Sequence, residues 1–286
     1  MIDLHTHTTA SDGRCTPVEL VSHAVAAGVD VLSVTDHDTT AATGAASAAC
    51  ASAGIEFVPG IEVTAVVDGR DVHVLGYFID PDSASLAAFL GQQRQRRIER
   101  VRQMIDRLSS LGIVLDADAV LRPGREDTAK AAGRPWIARA LVAAGHVADT
   151  KEAFDRFLAT GKPAFVPRIG PSPAEVFARI HASEGVASLA HPGLLARDDL
   201  IPGFVRLGLD ALEAHHSKHT PDDTKRYLAM ADQYDLAISG GSDYHAEPSH
   251  DRGGPGSVSL PLEAFQGLKG RWAARRATAS GDATSS

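Results

Sequence analysis

The sequence predicts an α/β fold in which repeated strand–helix units build a parallel sheet or barrel, interrupted by a helical insertion. Three observations point to it. Short apolar runs alternate with well-capped helical patterns in the first and last thirds of the chain. Metal-ligating residue types recur at the ends of those runs. The stretch 83–162 contains helical patterns and no strand between them.

Residues 1–4 read as the first strand. Thr16-Pro17-Val18-Glu19 then opens a helix, with Thr16 as N-cap, Pro17 at the first helical position and Glu19 closing a capping box. Gly28 ends it. Residues 31–34 form the second strand, and an Ala-rich helix fills 40–53. Residues 56–58 lead through Pro59-Gly60 towards Glu62. The runs 63–67 and 72–78 flank Asp68-Gly69, a hairpin signal. A long charged helix follows over 83–111, then several short helices over 116–158. The strand–helix pattern returns with a capped helix at Ser172-Pro173-Ala174-Glu175, strands at 186–189 and 209–213, a helix start at Thr220-Pro221 and a last strand at 236–239. The division expected is a discontinuous barrel of residues 1–82 and 163–275, an insertion of 83–162 that caps it, and a disordered polar tail at 276–286.

Composition narrows the function classes. The chain has 286 residues, 44% hydrophobic and 22% charged, which is ample for a barrel-sized core. Its net charge of −8 speaks against duplex DNA held on a basic face. Cys15 and Cys50 are the only cysteines, too few for a disulfide framework. Asp3 and His5 interrupt any apolar leader, and no run is long enough to span a membrane. A soluble cytoplasmic location is the expectation, with no membrane partner.

The chemistry lies at the strand ends. Side chains alternate along a strand, so His5 and His7 in Asp3-Leu4-His5-Thr6-His7 point to one side. Asp12, His37, Glu62, His73, His191, Asp243 and His245 recur downstream, where an α/β sheet binds its ligands. Imidazole with carboxylate, without cysteine, suits manganese, iron or zinc and hydrolytic chemistry. Asp3, Asp36 and Asp38 stand beside these residues as candidates to orient an imidazole. His23, His146, His181 and His250 fit no constellation.

On these residues the chain resembles the PHP (polymerase and histidinol phosphatase) family, in the same order from Ile2 to about Glu247. The resemblance implies a distorted (β/α)7 barrel and two to three divalent ions, manganese first, with iron or zinc as alternatives. It implies that one ion takes His5, His7, Glu62 and Asp243. A second shares Glu62 with His73 and His191, and a third takes Asp12, His37 and His245. His191 and Asp243 become candidate catalytic residues. The general acid stays open between His191, a water and a histidine of the 215–219 loop. Within the family, the long insertion, Gly-Lys-Pro at 161–163 and Ser-Asp-Tyr-His at 242–245 look most like the nucleoside 3′,5′-bisphosphate phosphatase and 5′→3′ exoribonuclease branch. That branch carries a histidine in Arg-x-His-x-x-Arg. Here the stretch runs from Arg134 to Arg139 with Trp136 in its place, as a packing residue or a platform for a base.

The expected partner is therefore a small phosphorylated molecule, a nucleotide or short RNA. Arg97, Arg134, Arg139, Lys162 and His219 are its candidate contacts, since guanidinium matches phosphate oxygens bidentately and lysine adds a point charge. Most arginines between Arg94 and Arg102 read as a solvated helix face. A phosphatase for another metabolite such as histidinol phosphate, or a non-catalytic metal-binding domain, is the competing reading.

Overall fold

The computed structural model describes residues 1–248 and 251–283. The chain runs β1 (Ile2–Asp3), α1 (Pro17–Ala27), β2 (Val31–Val34), α2 (Thr43–Ala53), β3 (Glu56–Val67) and β4 (Arg70–Tyr77). Next come α3 (Ala84–Ser110), α4 (Ala117–Glu126), α5 (Arg134–Ala143) and α6 (Thr150–Ala153), which continues as a π-turn over Phe154–Leu158. The chain closes with α7 (Pro173–Ala182), β5 (Val186–Leu189), α8 (Pro192–Leu195), α9 (Ile201–Arg206), β6 (Ala211–His216), α10 (Pro221–Gln233), β7 (Ala237–Gly241) and α11 (Leu262–Ala283).

Helix starts follow local chemistry. At α1 the Thr16 hydroxyl accepts from the Glu19 N–H while the Glu19 carboxylate accepts from the Thr16 N–H. Ser172 with Glu175 repeats this at α7, and Thr220 with Asp223 at α10. Gly28 takes a left-handed φ of 73° and stops α1.

The strands form one sheet in the order β1-β2-β3-β4-β5-β6-β7. Leu4 N–H donates to the Gly240 carbonyl at 3.2 Å, and Thr6 bridges Tyr244, so the sheet curls into a nearly closed barrel. All neighbours are parallel except at β4, which is antiparallel to both β3 and β5. The cause is the two-residue connection. Asp68 and Gly69 both have positive φ, 50° and 72°, and so tight a turn can only send the chain back. This one reversed strand is the distortion of the barrel. It also brings the start of β4, with His73, to the end of the barrel where the other strands finish.

Pro59-Gly60 does not interrupt a strand as the sequence suggested. Both residues lie inside β3, where the strand changes partner: residues 56–59 pair with β2 and 60–67 with β4. Gly60 is required by close approach, since a Cβ there would lie 2.2 Å from Ser33 Oγ.

Barrel and outer helices share an apolar core that includes Ile61, Val63, Val74, Phe177, Leu189 and Leu212. Helices α3 to α6 have their own, built on Met104, Leu108, Trp136, Ile137, Leu141 and Leu158. Helix α11 seals the opposite end, with Phe265 and Leu268 packed among Ile2, Val31 and Leu75. It runs on to Ala283, whereas the sequence predicted a structureless tail from 276. Its Trp272 indole donates to the Glu184 carbonyl and Arg275 pairs with Asp210, and these contacts anchor the helix upstream of that polar stretch. Residues 284–286 of the expected tail lie outside the described residues. Among the described residues no helix is long and apolar enough to cross a membrane.

Candidate metal centre and active site

Glu62 sits at the centre of the cluster, 1% exposed. Its Oε2 lies 3.4 Å from His5 Nε2, 3.3 Å from His7 Nε2 and 3.1 Å from His37 Nδ1. Its Oε1 lies 2.8 Å from His73 Nδ1 and 3.2 Å from His191 Nε2. Five imidazoles thus converge on one carboxylate. Asp243 Oδ1 faces His5 and His7 at 3.4 and 3.3 Å. Asp12 stands 3.7 Å from His37 Nε2 and 3.3 Å from His245 Nε2. Donor atoms gather into four close groups: His7, Asp12, His37 and His245; His5, His216 and Asp243; His5, His7 and Glu62; and His37, Glu62 and His73. All nine sequence-derived ligand candidates therefore meet in one place.

Charge accumulates here. Burial opposes ionisation of Asp12, Glu62 and Asp243, yet the surrounding imidazoles more than offset it and hold all three well below the ordinary carboxylate range. Burial likewise opposes a charge on His7, but Asp243, Glu62 and Asp12 raise it to about 10. On His5 the carboxylates of Glu213, Asp243 and Glu62 overcome burial in the same way. Three buried carboxylates that stay ionised require cationic charge beside them. Several imidazole nitrogens are buried without a hydrogen-bond partner, namely His7 Nδ1 and Nε2, His37 Nδ1, His73 Nδ1 and His216 Nε2. Unpartnered nitrogens crowded on ionised carboxylates are a donor set that fits divalent cations.

The supports differ from those expected. Asp3, Asp36 and Asp38 orient no imidazole, because each is consumed by hydrogen-bond donors of the backbone and of neighbouring hydroxyls or guanidinium groups. Asp3 accepts from the N–H and hydroxyl of Ser242 and from Gly256 N–H, tying β1 to the turn that carries Asp243. Asp36 accepts from Thr8 N–H and from the Thr8 and Ser11 hydroxyls beneath the Asp12 loop. Asp38 accepts from Thr64 N–H and from Arg97. The carboxylate that orients an imidazole is Glu213, fully buried, which accepts from His5 Nδ1 at 2.8 Å and from His191 N–H at 2.6 Å. Donating from Nδ1 to Glu213 leaves Nε2 facing Glu62 and Asp243, where His5 as a neutral ligand would offer its lone pair to a cation. His191 and Asp243 hold left-handed φ values of 28° and 55°, backbone strain kept at the site by such bonds.

A cavity of about 380 Å³ opens over the cluster. One wall is the ligand set. The other is cationic and comes largely from helices α3, α5 and α6: Arg97, Arg100, Arg134, Arg139 and Lys151, joined by Arg168. Carboxylates set against this wall include Asp38, paired with Arg97, Asp71, paired with Arg168 at 3.3 Å, Asp155, paired with Lys151, and Glu247, which also lines the cavity. Burial would push Asp71 up, but Arg168, Arg100, His73 and Arg134 bring it to about 2. Arg100 falls to about 9 and Arg168 to about 10, from burial first and then from crowding by other guanidiniums. Arg100 Nη2 is buried without a partner. The wall carries more positive charge than it balances, as an anion site does.

Of the predicted substrate contacts, Arg97, Arg134 and Arg139 line this cavity. Arg97 spends its donors on Asp38, Thr64 and the Ala132 carbonyl, and Arg139 donates to the Asp12 carbonyl. Lys162 and His219 do not line it. Lys162 is exposed in a turn closed by its own N–H on Ala159. His219 donates to the Ala214 carbonyl and accepts from Gly193 N–H, bracing the loops after β5 and β6. Trp136 does not line the cavity and gives its indole N–H to the Ser11 carbonyl, whereas Phe154 does line it. Helix α3 is not a solvated face throughout, since Arg97 and Arg100 are buried. His181 caps Asp210 at the far end of the barrel, and His250 lies outside the described residues.

Sequence reading missed Glu213, Lys218, Asp71 and Arg168, and placed His216 only among the histidines of the 215–219 loop. Glu213 and His216 stand at the carboxyl end of β6, where the rule that found the other ligands applies. A register shift between Glu213 and His215 in the pairing of β6 with β7 breaks the alternation, which is why residues three apart both reach the cluster. His216 Nε2 lies 3.3 Å and Lys218 Nζ 3.8 Å from Asp243 Oδ2.

Known proteins bear on this geometry. A model of the PHP domain matches residues 3–151. The chain is 37% identical to a 3′,5′-nucleoside bisphosphate phosphatase of Chromobacterium violaceum, over 86% of this chain and 87% of the relative. It is 36% identical to the 5′-3′ exoribonuclease Rnm of Escherichia coli, over 85% of this chain and 84% of the relative. A crystal structure assigned as a metal-dependent phosphoesterase of Bifidobacterium adolescentis superposes with a TM-score of 0.86 at 32% identity, covering 94% of this chain and 95% of the other. With a matching family model, close relatives along most of its length and a strand-end ligand cluster, the chain belongs to the PHP domain family.

Proposed function

We propose that this protein is a metal-dependent phosphoesterase that removes a phosphate from nucleoside 3′,5′-bisphosphates and trims short RNA from its 5′ end. The observation that carries the reading is the two-walled cavity, with imidazoles and carboxylates around Glu62 on one side and surplus guanidinium on the other. A substrate with one phosphate has use for one wall. A bisphosphate, or a phosphodiester next to a 5′-phosphate, has use for both.

His5, His7, Glu62 and Asp243 would hold one ion, Glu62 with His73 and His191 a second, and Asp12, His37 and His245 a third. Divalent ions there, manganese in our reading, would supply Lewis acidity and a nucleophilic water at neutral pH. The chain's own residues do the rest. Arg134 and Arg168, with the unpartnered Nη2 of Arg100, would hold the phosphate that is not cleaved, with charge-assisted hydrogen bonds made to its oxygens. Phe154 offers the base a ring face, and the Arg134 guanidinium already stacks on that ring at 5.6 Å. Residues 83–162, as a cap, keep bulk water from the cluster. Lys218, beside Asp243 on the cavity wall, is placed to neutralise charge on the cleaved group.

The test is phosphate release by manganese-loaded protein from adenosine 3′,5′-bisphosphate, beside AMP, histidinol phosphate and a 5′-phosphorylated RNA. Preference for the bisphosphate with stepwise shortening of the RNA is expected. Equal turnover of AMP and the bisphosphate would remove the second anion site from the reading.

A further inference from the structure

The Asp12 loop is held from two sides, and one of them is the insertion. From the barrel, Asp36 takes hydrogen bonds from Thr8 and Ser11. From the insertion, three consecutive carbonyls are held: Ala10 by the Ala131 N–H at 2.9 Å, Ser11 by the Trp136 indole N–H at 2.9 Å, and Asp12 by Arg139. The loop has little freedom of its own, because Gly13 passes so close to His7 that a Cβ would stand 2.5 Å from its carbonyl oxygen. Trp136 is 8% exposed and packs over Gly124 in the core of the insertion, so its N–H direction is set by packing. The Asp12 carboxylate accepts from the Ser11 hydroxyl of its own loop at 3.2 Å and faces His245 Nε2 at 3.3 Å, and it is the carboxylate of the His7–Asp12–His37–His245 group.

We propose that Trp136 and Arg139 are positioning residues for Asp12, gripping the carbonyls of Ser11 and Asp12 so that docking of the insertion sets how tightly this group holds a divalent ion. The inference rests on the metal-centre reading above. Trp136 touches neither the ion nor the substrate in this account. It acts through the loop backbone, and its indole N–H is the atom that matters.

The experiment is a manganese titration by calorimetry, with bound metal counted by mass spectrometry, on the full chain, Asp12→Asn and Trp136→Phe. Phenylalanine keeps an aromatic ring and removes the N–H together with the distal indole edge that faces Gly124. The expected result is that Asp12→Asn loses one ion per chain, and that Trp136→Phe weakens that one ion about fivefold to tenfold while the others are unchanged. A Trp136→Phe titration identical to wild type, with Asp12→Asn one ion short, overturns the proposal and leaves the metal centre standing. Equal weakening of every ion also overturns it, as general loosening. No manganese uptake by wild type overturns the metal centre and this proposal together. Arg139→Met, read by the same titration, carries the test through the Asp12 carbonyl should Trp136→Phe fail to fold.

Discussion

Single side chains decide two things here, where the cluster's lone pairs point and what the cationic wall grips. Glu213 governs the first through His5 Nδ1 and the His191 N–H. Glu213→Gln keeps the shape and removes the charge, and its amide can turn a donor towards His5. Manganese affinity should fall about tenfold to a hundredfold, measured by equilibrium dialysis. Unchanged affinity would show that the bond is ornamental. Arg134 bears on the second. Arg134→Met should raise KM for adenosine 3′,5′-bisphosphate about tenfold to a hundredfold and leave p-nitrophenyl phosphate within a few-fold. An equal effect on both esters would place Arg134 outside substrate recognition.

At the scale of elements, two local irregularities build the site. Strand β3 pairs parallel with β2 and then antiparallel with β4, so Glu62 lies just past the switch and reaches imidazoles from β4 and from the loops after β1, β2 and β5. Gly60 permits this crossing. Gly60→Ala would drive a methyl into Ser33 Oγ and Thr35 Cγ2 and should cost about 1–3 kcal/mol. The readout is a melting temperature lowered by several degrees. A wild-type melting curve would mean the neighbours yield freely. The second irregularity is the register shift in β6 that turns both Glu213 and His216 to the cluster.

At the scale of the whole molecule, the end opposite the cluster keeps the barrel shut. Asp210 joins three elements there, accepting from Ala187 N–H in β5, His181 in α7 and Arg275 in α11. Burial would raise its pKa, but those donors more than offset it and the folded value lies below the ordinary one. The unfolded chain binds its proton near about pH 3.9. Above that pH the folded carboxylate contributes its full stabilisation, and the contribution is lost as pH falls through the folded value. Asp210→Asn should therefore melt well below wild type at pH 7, with the gap narrowing below about pH 4. Thermal melts from pH 7 to pH 3 check this. A gap that stays constant with pH would assign the effect to shape and not to charge.

The residues legible in the sequence are those whose role is local. Thr16 with Glu19 and Ser172 with Glu175 cap helices because the partner is three residues away. Asp68-Gly69 reverses the chain because two positive φ angles suffice. His5, His7, Asp12, His37, Glu62, His73, His191, Asp243 and His245 were legible as candidates because strand ends collect ligands in an α/β fold. Tertiary structure alone decided which carboxylate orients which imidazole. Asp36 and Asp38 flank His37 in the chain, yet they bind backbone and arginine, while Glu213, 208 residues from His5, holds its ring. It also decided which arginines of α3 are buried, because that depends on how the helix lies over Asp38 and Asp71. The same holds for Trp136, whose indole reaches across 125 residues to the Ser11 carbonyl. A hydrogen bond between distant segments leaves no periodic trace in either of them, so only the folded chain reveals it.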